Sequence, residues 1–291
     1  MNCPSSPAGN STPVQEVKAL MFYDTKSNDH GLPYDPFKSC VTPRPIGWIS
    51  TISTDGISNL APYSQFQNLT FDPPYVMFSA NQTTIGHRKD SVNNAEAVGE
   101  FVYNMATYAL REAVNISAQE FPPEVDEFES AGVTKASSRL VKPYRVAESP
   151  IGFECRYHQT LRLPGKGKMG TVDIVIGEVL GIHIKDEFIL PSGKLDIIGI
   201  KPLARLGYYD YSVVESVFEM VIPGTNEALR YGLEGASGKV RKEGQDEACS
   251  KVCKKARRVH VLRCWGSHCG HDADYLYRHR IAVGGDTPYR I

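Results

Sequence analysis

The sequence predicts a mainly β protein, a β-barrel with a few appended helices. Apolar side chains alternate with polar ones along residues 153–163 and again along 172–176, which is the spacing of strands that bury one face. Gly177 and Gly181 follow in the second run, and glycine inside a strand pattern marks a bulge or bend by which a sheet curls closed. Helical patterns are short and few, so strands dominate the prediction.

The first predicted strands come early in the chain. Residues 46–53 and 75–80 are apolar, β-prone runs that we predict to be strands. A turn at Asp55-Gly56 leads into residues 59–64, which we predict to be a loop because they are dense in amides, hydroxyls and proline. Such a loop presents donors to a planar polar ring without flexing, which predicts a pocket of nucleotide shape.

Helices are predicted in three places. Residues 90–97 open with the capping residue Asp90, residues 105–118 carry apolar side chains at helical spacing, and residues 125–131 form a short acidic turn.

Between the two alternating runs, residues 163–170 contain three glycines and two lysines. They resemble a phosphate-binding loop but lack a Walker motif or a Rossmann context, so we expect a mobile hairpin tip.

Composition restricts the compartment and the class of protein. The chain has 291 residues, of which 41% are hydrophobic and 22% charged, with a net charge of −1; this is enough for a good-sized core and argues against a nucleic-acid protein. It has no apolar run long enough to cross a bilayer and no pattern of a secretory signal. Seven cysteines, an odd number, favour free thiols. We therefore expect a cytoplasmic protein that does not engage the membrane.

Several motifs follow one another in a recognisable order. They occupy residues 43–64, 73–80, 91–94, 99–104, 149–155, 176–179 and 205–207. In this order they resemble the flavin reductase-like, FMN-binding split-barrel family, in its flavoprotein oxygenase and flavin reductase branch. The resemblance implies a split β-barrel over residues 20–235 and a homodimer that binds FMN between its subunits, with FAD as an alternative. It also implies NAD(P)H as co-substrate and a small-molecule substrate or flavin acceptor as partner.

The two ends of the chain depart from this domain. We expect residues 1–19 to be a disordered leader. Residues 236–291 hold twelve Lys and Arg against six Asp and Glu, and we expect this tail to be disordered, atypical or a product of a shifted reading frame. Its cysteines and histidines are of the types that bind zinc, but their spacing matches no recognised finger. We therefore assign no metal site.

Candidate ligands of the FMN phosphate lie at the exit of the second predicted strand. Hydroxyls, cations and a helix start together suit a dianion, although a solvated basic turn is the alternative. The residues concerned are Ser79, Thr84, Arg88 and Lys89. Arg44, held between two prolines, points either at the phosphate or at a partner subunit.

Candidate ligands of the flavin ring follow from the resemblance. They are Trp48, Ser50, Thr51, Asn59, Ala61, Pro62, Tyr63 and Ser64. The tryptophan has core packing as its alternative role, and the hydroxyl residues have turn formation. No catalytic residue is assigned, because the hydride is accepted by the flavin itself.

The leading functional prediction is an oxidoreductase that either reduces flavin with NAD(P)H or oxidises a small organic molecule through a bound flavin. Two alternatives stay open at this point, a non-enzymatic flavin-binding protein and an enzyme of the pyridoxamine phosphate oxidase type. We do not expect a nucleic-acid partner, because the basic tail has only scattered aromatic residues.

Overall fold

The computed structural model describes residues 20–220. The predicted leader 1–19, the predicted domain end at 235 and the tail 236–291 lie outside these described residues. A compact unit ends at Phe218. Within residues 20–220, no helix has both the length and the apolar character to cross a membrane.

Twelve strands and four α-helices make up the described fold. The strands are β1 Arg44–Pro45, β2 Gly47–Ile52, β3 Ser58–Tyr63, β4 Phe66–Phe71, β5 Pro74–Asn81, β6 Glu100–Met105, β7 Lys135–Ala136, β8 Arg145–Val146, β9 Ile151–Leu163, β10 Val172–Ile184, β11 Leu203–Gly207 and β12 Asp210–Val213. The helices are α1 Asp90–Val98, α2 Arg111–Ile116, α3 Glu127–Ala131 and α4 Ile197–Ile200. The prediction of a mainly β fold with a few helices is confirmed.

Seven strands form one antiparallel sheet in the order β3-β2-β6-β9-β10-β5-β4. Phe66 of the edge strand β4 stacks on Tyr103 of β6, a strand in the opposite half of the sheet order, with ring centroids 4.5 Å apart. A Cβ atom on Gly47 of β2 would lie only 2.4 Å from the Phe66 ring. The sheet therefore curls until its edges approach, as in a split barrel.

The predicted bulges occur at the predicted glycines. The pairing of β9 and β10 shifts register between Ile176 and Gly177 and again between Val179 and Gly181. At the first shift a Cβ on Gly177 would meet the Phe101 ring at 2.3 Å. The glycine thus admits an aromatic side chain of the core while the strand bends.

Two hydrophobic cores lie on opposite faces of the curled sheet. The barrel interior holds an aromatic cluster that includes Phe66, Phe78, Phe101 and Tyr103. On the other face, Trp48 and Leu60 pack with Val114 of α2 and Phe128 of α3. This second core fixes α2 and α3 beside β3, where the candidate site lies.

Two predicted elements are wrong. The helix predicted over 105–118 begins only at Arg111, because Met105 ends β6 and pairs with Gly47. The loop predicted over 59–64 is largely strand β3, because its backbone pairs with β2 and Leu60 is fully buried. In both cases long-range pairing overrides the local pattern.

Candidate functional site

A small cavity lies against the edge strand β3, between the start of α1, the segment after α2 and the start of α3. Its volume is about 90 Å³. It is lined by Asn59, Ala61, Pro62, Tyr63, Thr83, Lys89, Asp90, Ser91, Ser117, Ala118, Gln119, Glu120, Phe121 and Glu127. Five residues nominated from the sequence are among them, namely Asn59, Ala61, Pro62, Tyr63 and Lys89.

Lys89, which lines this cavity, and Thr84, which follows the lining residue Thr83, form an anion cradle. The Lys89 ammonium donates to Glu120 Oε1 at 2.7 Å, and the Thr84 hydroxyl donates to Glu120 Oε2 at 2.8 Å. The Thr84 backbone N–H points to the same carboxylate, 3.2 Å from Oε1. One carboxylate thus receives an ammonium, a hydroxyl and an amide donor from two residues that the sequence nominated for phosphate.

The electrostatics of the cradle favour an anion. The hydrogen bond from Lys89, followed by that from Thr84, holds the pKa of Glu120 below its ordinary value. The donors of the cradle are those that bind a phosphate monoester, which offers oxygens to the same groups. A phosphate monoester in place of the Glu120 carboxylate would meet the same donors.

Glu127 fastens the floor of the cavity to the edge strand. Its Oε2 accepts from Asn59 Nδ2 at 2.6 Å and from the backbone N–H of Leu60. Asn59 Oδ1 in turn accepts from the Ser91 hydroxyl at 2.7 Å. Burial raises the pKa of Glu127 to about 7, against the hydrogen bond from Leu60. The cavity therefore contains a carboxyl group that titrates near neutral pH.

The structure places Arg88 outside the cradle. Its guanidinium makes two hydrogen bonds to Glu96, at 2.7 and 2.6 Å, and a third to the buried Asp173 at 3.3 Å. These bonds, those to Glu96 first, raise the pKa of Arg88. Arg44 also has internal partners, because its Nη1 donates to the carbonyl oxygens of Lys38, Val41 and Leu206. Both arginines brace the fold.

Two hydroxyl residues nominated for the ring, Ser50 and Thr51, make hydrogen bonds within the fold. The Ser50 hydroxyl donates to the Tyr144 carbonyl at 2.5 Å, and Thr51 is buried behind Asn59, to whose Oδ1 it donates at 3.2 Å. Ser64 and Ser79 do not line the cavity. Ser79 lies in β5 opposite Ile174.

Trp48 lies in the core, on the face of the sheet opposite the barrel interior. It is fully buried, and its indole N–H donates to the Ser117 hydroxyl at 2.9 Å. This bond connects β2 to the segment that carries Glu120. Trp48 thus belongs to the packing that supports the site.

Sequence reasoning missed the two glutamates of the cavity. Glu120 lies 31 residues from Lys89, and Glu127 lies 67 residues from Leu60. The sequence offers one local signal for Glu127, namely the helix-capping residue Asp126 directly before it. In the structure Asp126 caps α3 and accepts from the Phe128 N–H at 3.1 Å.

The curled seven-stranded sheet with an anion cradle beside its edge strand defines a split-barrel protein with a candidate anion site. Residues 39–209 match the model of the flavin reductase like domain. The chain belongs to this family, which confirms the resemblance noted in the sequence.

Relatives of the chain extend the comparison. An uncharacterized protein of Aquifex aeolicus is 36% identical over 191 residues, which are 65% of this chain and 94% of the relative. Nitrilotriacetate monooxygenase component B from Bacillus cereus is 28% identical with a TM-score of 0.64, over 69% of this chain and 99% of that one. The 2-nitrobenzoate 2-nitroreductase NbaA of Pseudomonas fluorescens is 22% identical with a TM-score of 0.60, over 70% and 96% of the two chains, and shares the fold.

Proposed function

We propose that this protein is an FMN-binding oxidoreductase that reduces flavin with NADH or NADPH. The observation that carries the proposal is the anion cradle of Thr84 and Lys89 within a flavin reductase-like domain. A bound flavin supplies the hydride chemistry at its N5 atom. In this proposal the residues of the chain bind and orient the cofactor.

The phosphate is the part of the flavin that the cavity accommodates. A volume of about 90 Å³ is well below the roughly 300–1,000 Å³ of sites that enclose a whole ligand. We therefore place the phosphate in the cradle and the flavin ring outside the cavity. FAD has a phosphate at the same position of its flavin half, so the cradle suits both cofactors.

A bound phosphate and the Glu120 carboxylate compete for the same donors. The ammonium of Lys89 and the hydroxyl of Thr84 are both occupied by Glu120. Flavin binding therefore requires Glu120 to leave the cradle, because two anions on one ammonium repel each other.

The similarity to nitrilotriacetate monooxygenase component B supports a reductase role, since that protein is one component of a monooxygenase. By analogy we propose that this chain supplies reduced flavin to a partner or to a small-molecule acceptor, in the cytoplasm. The buried free thiol of Cys155 is consistent with a reducing compartment.

A homodimer completes the proposal. The β9–β10 hairpin exposes large apolar side chains, among them Leu161 at 52% and Leu163 at 45%, and such surfaces mark protein interfaces. We expect sedimentation analysis to give twice the chain mass of 32.2 kDa. A monomer at micromolar concentration would contradict this part of the proposal.

The first experiment compares FMN with riboflavin, which lacks the phosphate. We expect the full chain to bind FMN more tightly, and Lys89→Gln to weaken FMN binding at least about tenfold, since a charge-assisted hydrogen bond is lost. Riboflavin binding should be unchanged in Lys89→Gln. The matched control is Lys142→Gln, which removes an exposed lysine that does not line the cavity.

The outcomes separate the functions. Bleaching of bound flavin by NADH or NADPH supports the oxidoreductase, whereas tight FMN binding without bleaching supports a flavin carrier. Equal affinity for FMN and riboflavin in every variant would show that the cradle does not bind the phosphate.

A further inference from the structure

A second, larger cavity lies where the start of β9 and the end of β10 meet the segment 139–150. Its volume is about 580 Å³, within the range of sites that hold a small molecule. Its lining residues are Arg139, Leu140, Arg145, Ala147, Ser149, Pro150, Glu154, Gly181, Ile182, His183, Ile184 and Lys185. None of them lines the cavity of the anion cradle. We call it the cationic cavity.

Three cations of this cavity have no carboxylate partner among the described residues. The Lys185 ammonium donates to the backbone carbonyl of Glu148 at 3.0 Å, and Arg145 Nη2 donates to the carbonyl of Ser137 at 3.1 Å. Arg145 Nε is buried and has no acceptor within residues 20–220. Neutral carbonyls position these side chains but leave their charge uncompensated, so the cavity attracts anions.

The lining carboxylate, Glu154, does not neutralise these cations. It is fully buried, and its oxygens accept from the backbone N–H groups of Arg139 at 2.8 Å and Leu140 at 2.6 Å. His183 Nε2 lies 2.5 Å from Oε1. The carboxylate therefore fastens the segment 139–150 to β9 and β10, and this holds the Arg139 backbone at the rim.

Apolar surface lies beside the cations. Leu140 is 58% exposed and Ile182 is 55% exposed, although both line the cavity. A wall of this kind suits the non-polar part of a ligand whose anionic part meets the arginines and the lysine. Arginine is the side chain best shaped to bind phosphate oxygens in pairs.

We propose that the cationic cavity is a second binding site, which takes a phosphorylated small molecule of nucleotide size. The proposal goes beyond the proposed function, because it does not depend on flavin binding in the cradle. The ligand's phosphate lies against Arg139, Arg145 and Lys185, and its apolar portion lies against Leu140 and Ile182.

The test is calorimetric titration of the full chain with inorganic pyrophosphate and with AMP, first in the wild-type protein and then in Lys89→Gln, the variant that removes a cation of the cradle. We expect one saturable site per chain in both proteins. The variant Arg139→Gln should weaken binding several-fold, and the pair Arg139→Gln with Lys185→Gln should weaken it at least about tenfold. Lys142→Gln, on the same segment but outside the cavity lining, should leave it unchanged.

Several outcomes would overturn the proposal. They are an absence of saturable binding, equal binding by the double variant, and loss of pyrophosphate binding in Lys89→Gln, which would assign the probe to the cradle. Arg139→Gln keeps the test interpretable if the double variant fails to fold, because no described contact of the fold depends on the Arg139 side chain. Failure of the flavin proposal would show separately, as an absence of FMN binding in the same preparation.

Discussion

Glu127 is the residue whose ionisation matters most for the stability of the site. It is 6% exposed, and burial raises its pKa to about 7 from an ordinary value of 4.5. Between these two pH values the folded state holds a proton that the unfolded state has lost. The contribution of Glu127 to stability is therefore fully present below pH 4.5 and is lost as the pH rises through about 7.

We predict that Glu127→Gln removes this pH dependence. Both hydrogen bonds to Glu127 end on Oε2, so the single carbonyl oxygen of glutamine can accept them. The free energy of unfolding of the variant relative to wild type should rise by roughly 2–3 kcal/mol between pH 5 and pH 8. Urea denaturation at both pH values measures this difference.

The control for this prediction is Glu129→Gln, which changes an exposed glutamate on the same helix. It should follow the wild-type pH dependence. If the free energies of unfolding of Glu127→Gln and wild type changed equally between pH 5 and pH 8, Glu127 would not titrate between these pH values.

Residue roles were predictable where they follow from local chemistry. Thr84 and Lys89 stand at a strand exit before a helix start, and the structure brings them together on one anion. Arg88, their neighbour, pairs instead with Glu96 and also with Asp173, which lies 85 residues further on. A sequence does not show which of two adjacent cations turns toward a distant carboxylate, since that choice depends on the pairing of β5 with β10.

The segment between α2 and α3 acts as the cover of the anion cradle. It is connected to the core by the bond from Trp48 to Ser117, and it places Glu120 on Thr84 and Lys89. This cover is short and contains two prolines, Pro122 and Pro123, which restrict its backbone. We expect displacement of Glu120 to be the step that exposes the cradle.

We predict that Glu120→Gln strengthens FMN binding. The amide cannot hold the Lys89 ammonium by charge, so the competitor of the phosphate is weakened, and affinity should rise several-fold up to about tenfold. Riboflavin affinity should not change, because riboflavin leaves the cradle empty. The measurement is a titration of both ligands, monitored by flavin fluorescence.

Glu112→Gln is the matched control, since Glu112 is an exposed glutamate of the preceding helix that does not line this cavity. Weaker FMN binding by Glu120→Gln would mean that the carboxylate supports the bound cofactor and does not compete with it.

Elements were predictable where alternation and glycine coincide. The strands β9 and β10 and their two bulges follow from the spacing of apolar residues and of Gly177 and Gly181. The edge strand β3 was not predictable from its sequence, because Pro62 and its polar neighbours are typical of loops. Its identity depends on Glu127, which supplies the acceptor that an edge backbone N–H lacks.

At the scale of the molecule, the barrel and the cradle both lie within the first compact unit, which ends at Phe218. We predict that a chain ending at residue 220 keeps the FMN affinity of the full chain. Its melting temperature should change by less than about 4 °C, the shift expected for ~1 kcal/mol in a domain of this size.

Calorimetric melting and FMN titration of both forms test this prediction. A loss of FMN affinity with unchanged melting would place part of the flavin site in residues 221–291. A large fall in melting temperature would instead show that these residues stabilise the domain.

The bond between Trp48 and Ser117 has an optical consequence. The chain has two tryptophans, and the second, Trp265, lies outside the described residues. With Trp265→Phe, the remaining indole is a natural fluorophore in a dry environment, tethered by one hydrogen bond to the segment that covers the cradle. Its fluorescence emission would report in real time, without an added dye, when an anion displaces Glu120 from the cradle.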